Sequence, residues 1–288
     1  MTGRYILSGF SDEISPDLEE QLTQLKKLGI RYFEIRGVGD KNVSDLTQDE
    51  ARDVRAMADR YGIRVSSVGS PIGKIKITDD FEPHLEKLAH VILLSKIFET
   101  RFIRVFSFFI PEGADPADFR EEVMARMRAM TQLAEREGVI LLHENEKGIY
   151  GDTAPRCKDL LDTVNSPALR AVFDPANFVE CGQSTYPEAY DLLNSYVVYI
   201  HIKDALGMGR VVPSGYGKGK IEMLLRAFAD KGYEGFLSLE PHLTHFTGLD
   251  QLQSESLELS KEPLSGAQAF TIAYDALNAI LERIDNRA

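Results

Sequence analysis

EREGVILLHENEKG, residues 135–148, decides how this chain folds. Charged residues of a helical stretch run up to Gly138, four aliphatic residues follow, and the run ends on His143, Glu144 and Asn145. A Gly just past a helix, followed by a buried β run, is the αβ joint of a parallel α/β protein. KKLGIRYFEI (26–35), DRYGIRVSSV (59–68) and DKGYEGFLSLE (230–240) repeat the phrase. Reading outward from these joints predicts strands near 5–10, 30–36, 64–70, 101–108, 139–145, 169–174, 197–203 and 235–241, with a helical pattern after each. Ser15 is predicted to cap the first helix, with Pro16 at its first position and Leu18, Leu22, Leu25 and Leu28 on one face. Thr47 and Glu50 predict a capping box for the second.

Eight βα units in 288 residues fit a (β/α)8 TIM barrel of the α/β class, a fold that typically takes about 250 residues. A doubly wound open sheet is the alternative, but the first turn, SGFSDEISP, lacks the Gly-rich dinucleotide fingerprint. No Pro-rich or low-complexity linker divides the chain, so a single domain over 1–288 is expected.

With 43% hydrophobic and 27% charged residues, the chain has the composition of a globular protein with a large core. MTGRYILSGFSDE has no signal-peptide pattern. No apolar run approaches the roughly 20 residues of a membrane span. Cys157 and Cys181 lie in unrelated contexts and form neither a disulfide framework nor a CxxC pair, so a reducing cytoplasm is expected. The net charge of −12 opposes nucleic acid and anionic membranes as partners. A small neutral or modestly charged substrate fits better.

The last four predicted strands end alike: VILLHEN in Glu144, RAVFDPAN in Asp174, VYIHIKD in His201 and FLSLEPH in Glu240. Strand alternation places Ile140 and Leu142 on the face of Glu144, Val172 with Asp174, Tyr199 with His201, and Phe236 and Ser238 with Glu240. C-terminal strand ends converge on the mouth of a TIM barrel. Three carboxylates gathered there repel one another unless a cation joins them. An oxygen-rich set with one imidazole suits Mn²⁺, Mg²⁺ or Co²⁺ at least as well as Zn²⁺, and Mn²⁺ is the expected ion. Taken singly, each residue could be a helix cap or a surface ion-pair partner. Their succession at four strand ends favours one divalent metal ion.

These residues, with SGFSDE at the first strand and FEIRG at the second, resemble the xylose isomerase-like TIM barrel superfamily over essentially the whole chain. That superfamily includes ketose 3-epimerases, hydroxypyruvate isomerases and inosose dehydratases. The resemblance implies that Glu144, Asp174, His201 and Glu240 hold one metal ion, and that Glu144 and Glu240 serve as acid and base on a carbohydrate through an enediolate. Epimerisation or isomerisation returns the proton; expulsion of a β-hydroxyl from the same intermediate makes a dehydratase. The sequence departs from the epimerase pattern at Asn177, where a His is common, and at Gly207, where an Arg is common.

Asn177 and Lys203 are expected to touch substrate, as are His242 on the Glu240 face and Glu34 at the end of the second strand. An ion pair with Arg36 is the other reading of Glu34. His143 and Asn145 point away from Glu144's face and are expected to support the site from behind. Asp204 is expected to orient Lys203 or cap the next turn. ALGMGRVVPSGYGKGKIE, residues 205–222, has five glycines and could cradle a phosphate or form a lid. Two other classes compete: an endonuclease IV-type nuclease, disfavoured by the scarcity of His and by the acidic charge, and a non-catalytic sugar-binding barrel. A homodimer is possible.

Overall fold

A computed structural model of the chain describes residues 5–243 and 264–285. Eight parallel strands line up as β1 (Tyr5–Gly9), β2 (Tyr32–Ile35), β3 (Arg64–Val68), β4 (Phe102–Val105), β5 (Ile140–Glu144), β6 (Leu169–Phe173), β7 (Val197–Ile202) and β8 (Gly235–Leu239). Their spatial order is β1-β8-β7-β6-β5-β4-β3-β2. A parallel bridge between Phe10 and Glu34 brings β2 back against β1 and closes the barrel. The expected TIM barrel is therefore the fold. The eight strands fall where the sequence reading expects them, although the fourth stops at Val105 rather than reaching 108.

Helices α1 (Leu18–Lys27), α2 (Gln48–Tyr61), α3 (Glu82–Ile97), α4 (Arg120–Glu137), α5 (Ala154–Val164), α6 (Pro175–Glu180), α7 (Ile221–Asp230) and α8 (Gly266–Asp285) pack around the strands. Gly62 and Gly138 end α2 and α4 with φ of 71°, a left-handed turn that Gly adopts without a Cβ clash. The Thr47–Glu50 capping box is present. Ser15 does not cap α1: Asp17 accepts the Glu20 N–H at 3.0 Å, while the Ser15 hydroxyl donates to the Glu20 side chain at 2.6 Å.

Two apolar layers follow from alternation. The larger joins strand residues such as Phe33, Ile103, Leu141 and Leu237 to helix residues such as Leu22, Leu88, Met127 and Leu224. The smaller one, inside the barrel, is Leu142, Val172 and Tyr199 with Phe102, Ile140 and Phe236 packed against it. These inward residues share strand faces with Glu144, Asp174, His201 and Glu240. The interior plug thus sits directly below the proposed ligands. Among the described residues no helix is long and apolar enough to cross a membrane.

Candidate metal centre and active site

Glu144 ends β5, Asp174 follows β6 as the N-cap of α6, His201 lies within β7, and Glu240 follows β8. One ligand atom from each lies within 4.8 Å of all the others. None of the four is more than 3% exposed. His201 Nδ1 faces the group, at 3.1 Å from Glu144 Oε1, 3.7 Å from Glu240 Oε2 and 3.9 Å from Asp174 Oδ2.

Buried carboxylates survive here because cations stand beside them. Arg104 Nη1 lies 3.2 Å from Glu144 Oε2, and Arg36 Nη1 donates to Glu240 Oε1 at 3.0 Å. Lys203 Nζ is 3.0 Å from Asp174 Oδ2 and 3.2 Å from Glu240 Oε2. Burial raises the Glu144 carboxyl, but the charges of His201 and Arg104 outweigh it and hold the group down at about 2. For Glu240 the same contest, against Lys203 and His242, ends well below the usual range. At Asp174 burial wins over Lys203 and pushes the carboxyl up to about 7.

These residues fit a divalent ion. Glu144 Oε2 and Asp174 Oδ2 are buried and accept no directed hydrogen bond despite the nearby cations, so their lone pairs remain for a ligand. Three carboxylates and one imidazole converging on a point form an oxygen-rich donor set.

The surrounding residues divide by what they touch. Asn145 brackets Asp174: its amide donates to the Asp174 carbonyl at 2.9 Å and its Oδ1 accepts the Asp174 N–H at 3.0 Å. His143 bonds the Ser107 hydroxyl at 2.9 Å on the outer face of β5. Asn177 lines the cavity but donates to Glu144 Oε1 at 3.1 Å, so it also orients a ligand. His242 lines the cavity too, 3.2 Å from Glu240 Oε1. Glu34 corrects the expectation of a substrate contact: fully buried inside the barrel, it faces His201 Nε2 at 3.2 Å and lies outside the cavity lining. Arg36 turns instead to Asp12, Glu13 and Glu240.

Asp204 makes no bond to Lys203 but does cap the turn that follows it, where its Oδ1 accepts the Ala205 N–H at 2.9 Å. Its carboxylate accepts the backbone N–H groups of Gly215, Gly217 and Gly219 at 2.8–3.0 Å. The glycine-rich stretch is thereby wrapped around an internal anion, which leaves those N–H groups no free cradle for phosphate. Of the two readings of the loop, the phosphate cradle therefore loses these three donors to Asp204. The glycines serve close approach, because a Cβ at Gly217 would meet Asp204 Oδ1 at 2.2 Å.

A cavity of about 450 Å³ opens above the four residues, within the size range of small-molecule sites. Arg104 and Lys203 reach its floor, and Lys74 and Glu146 pair at 3.0 Å on its partly exposed rim. Arg104 and the rim pair escaped the sequence reading. For Arg104 a signal existed: in FIRV, alternation sets it on the inward face with Phe102.

The sequence profile of the Xylose isomerase-like TIM barrel family matches residues 22–262. A curated relative, the 3-dehydroshikimate dehydratase of Bacillus anthracis, is 28% identical over 134 residues, 45% of this chain and 46% of that protein. The match thus spans less than half of that relative's length. Among solved structures, an L-ribulose 3-epimerase superposes with a TM-score of 0.77 at 18% identity, covering 98% of this chain and 96% of that one. A 3-DHS dehydratase from Bacillus anthracis superposes with a TM-score of 0.70 at 18% identity, over 96% of this chain and 98% of that one. A Xylose isomerase-like TIM barrel protein from Mycobacterium smegmatis, solved in complex with magnesium, gives 0.68 at 17% identity, over 97% and 98%.

Proposed function

The chain belongs to the Xylose isomerase-like TIM barrel family, and from that membership we propose that it is a divalent-metal-dependent isomerase or epimerase of a small carbohydrate or carbohydrate-derived hydroxy-ketone. The observation that carries the reading is the convergence of Glu144, Asp174, His201 and Glu240 on one buried point at the floor of a cavity. The ion, Mn²⁺ in this proposal, would polarise a ketone and its neighbouring hydroxyl and so acidify the adjoining C–H. Glu144, kept ionised by His201 and Arg104, accepts that proton. Glu240, kept ionised beside Lys203 and His242, exchanges a proton on the other side of the reacting carbon. Asn177 and Asn145 hold the carboxylates of Glu144 and the backbone of Asp174 in place, and Lys203 offers an ammonium to substrate oxygen. Membrane and nucleic acid have no part in this reading; the working form is a monomer or a homodimer in the cytoplasm.

A second reading, dehydration, is supported by the curated relative's name. The same proton leaves first, and a hydroxyl on the next carbon then departs as water. One experiment separates the two. Purified protein with Mn²⁺ is incubated in D₂O with a panel of ketoses and cyclic hydroxy-ketones, 3-dehydroshikimate among them. Deuterium at carbon with the substrate's atoms otherwise retained marks an isomerase or epimerase; loss of one water marks a dehydratase. Failure to bind any divalent ion near neutral pH ends both.

A further inference from the structure

Within the metal-site reading, we infer that Glu34 is the positioning residue for His201, fixing which ring nitrogen is offered to the other three ligands. Glu34 is fully buried, at a point where the pairing of β2 with β3 shifts register between Phe33 and Glu34. The shift and the Phe10–Glu34 bridge set it at the seam where the barrel closes. Its Oε2 accepts from the Ser238 hydroxyl at 2.9 Å and faces His201 Nε2 at 3.2 Å. A carboxylate can only accept, so Nε2 donates to Glu34; Nδ1 donates to Glu144 Oε1 at 3.1 Å in the metal-free protein and is the nitrogen an ion would take in place of that proton. Nδ1 is the one that faces Glu144, Asp174 and Glu240.

Packing supports the same orientation. The His201 ring meets Phe10 edge-on at 5.2 Å and 73°, and Tyr199 at 5.9 Å and 89°, so rotation would drive it into an aromatic wall. Ser238 and Glu240 lie two residues apart on one strand face, so β8 delivers a ligand and the hydroxyl that steadies Glu34 together. Glu34 Oε1 is buried without a hydrogen-bond partner. A buried acid left half satisfied destabilises the fold, and an apolar residue would fill the space without that loss. Control of His201 explains why an acid stands there.

The test uses the full chain with Glu34→Gln and Ser238→Ala, each checked for native circular dichroism. Mn²⁺ is titrated calorimetrically, and the His201 ring is followed by ¹⁵N and ¹H NMR. Glu34→Gln is expected to weaken Mn²⁺ binding about 10–100-fold and to shift the downfield Nε2–H resonance upfield; Ser238→Ala should move both the same way by a few-fold and a smaller shift. Wild-type affinity and an unmoved resonance in Glu34→Gln would overturn the inference. Should Glu34→Gln not fold, the same null result in folded Ser238→Ala overturns it. A wild type that binds no Mn²⁺ sinks the functional proposal alone, because the Nε2–H resonance of the metal-free protein still decides what Glu34 holds.

Discussion

Strands β5–β8 bring Glu144, Asp174, His201 and Glu240 to the centre together with the Lys203 ammonium, whereas β1–β4 bring the guanidinium groups of Arg36 and Arg104 and the ring of Phe10. Each half exposes the problem that the other solves. Three buried acids cannot all ionise alone, and two buried guanidiniums need counter-charge. The groups that keep Glu144 and Glu240 ionised before any ion arrives come from both halves: His201 and then Arg104 for Glu144, Lys203 and His242 for Glu240. The centre is therefore preorganised by charge balance across the barrel as well as by the ligands themselves.

The largest expected effect breaks the later half. Glu240→Gln keeps the shape of the side chain but removes a charged ligand, and Mn²⁺ affinity should fall by on the order of 100-fold or more, read by calorimetry, with turnover falling alongside. Unchanged affinity would mean that the ion, if bound, sits elsewhere. The earlier half responds differently. Arg104→Met leaves Glu144 without its guanidinium, so the metal-free protein should lose about 3 kcal/mol in denaturant unfolding. Excess Mn²⁺ should restore part of that loss, because an ion at Glu144 supplies the missing positive charge; equal losses with and without Mn²⁺ would contradict the charge-balance account.

The smallest effect tests whether the earlier half also carries pH sensitivity of its own. The Gly73 N–H donates to His84 Nε2 at 2.6 Å, which requires a neutral ring. Burial first, then Lys87 and Arg126, lowers His84 from 6.5 to about 4. The folded value lies below the unfolded one, so the unfolded chain takes the proton more readily as pH drops. This contribution is full above pH 6.5 and disappears as pH falls toward 4, a loss of about 3.4 kcal/mol for the full shift and roughly 2 kcal/mol once solvent screening of the incompletely buried ring is allowed for. Unfolding curves at neutral and acid pH should show this component in the wild type and not in His84→Gln. Identical acid losses in both would assign the sensitivity to the carboxylates across the barrel.

Legibility in the sequence follows the same division. VILLHE declares its inward face because barrel strands are buried on both sides, so period-two alternation alone sorts Glu144 from His143. Gly29, Gly62, Gly138 and Gly232 mark where β2, β3, β5 and β8 start, whereas α3 and α5 are closed by Phe98 and Asn165 instead. Arg36 and Arg104 obey the same alternation, yet an Arg beside an acid in sequence reads as a local ion pair, and partners more than 200 residues away, such as Arg36 with Glu240, leave no local trace. Glu34 shows the other limit. Alternation gave its face, but its depth depends on a register shift visible only once β2 and β3 are paired. Asp204 reaches beyond its expected turn cap, because three further partners, N–H groups of a loop more than ten residues on, are set by backbone folding that no side-chain pattern reports.

Phe10 carries a consequence of another kind. The Arg36 and Arg104 guanidinium carbons lie 4.5 and 4.9 Å from its ring centre, and the His201 ring lies 5.2 Å away. A hydrocarbon ring draws cations to its π face but neither donates nor accepts a proton. Phe10 thus fills the space among these three groups with a face that takes no part in their hydrogen bonds and ion pairs, which run instead through Glu144 and Glu240. Its position is guarded from behind by Gly69, where an added Cβ would strike the ring at 2.6 Å. A single methyl group on that backbone turn would press on Phe10 and, through its ring, on His201 and the two guanidinium groups.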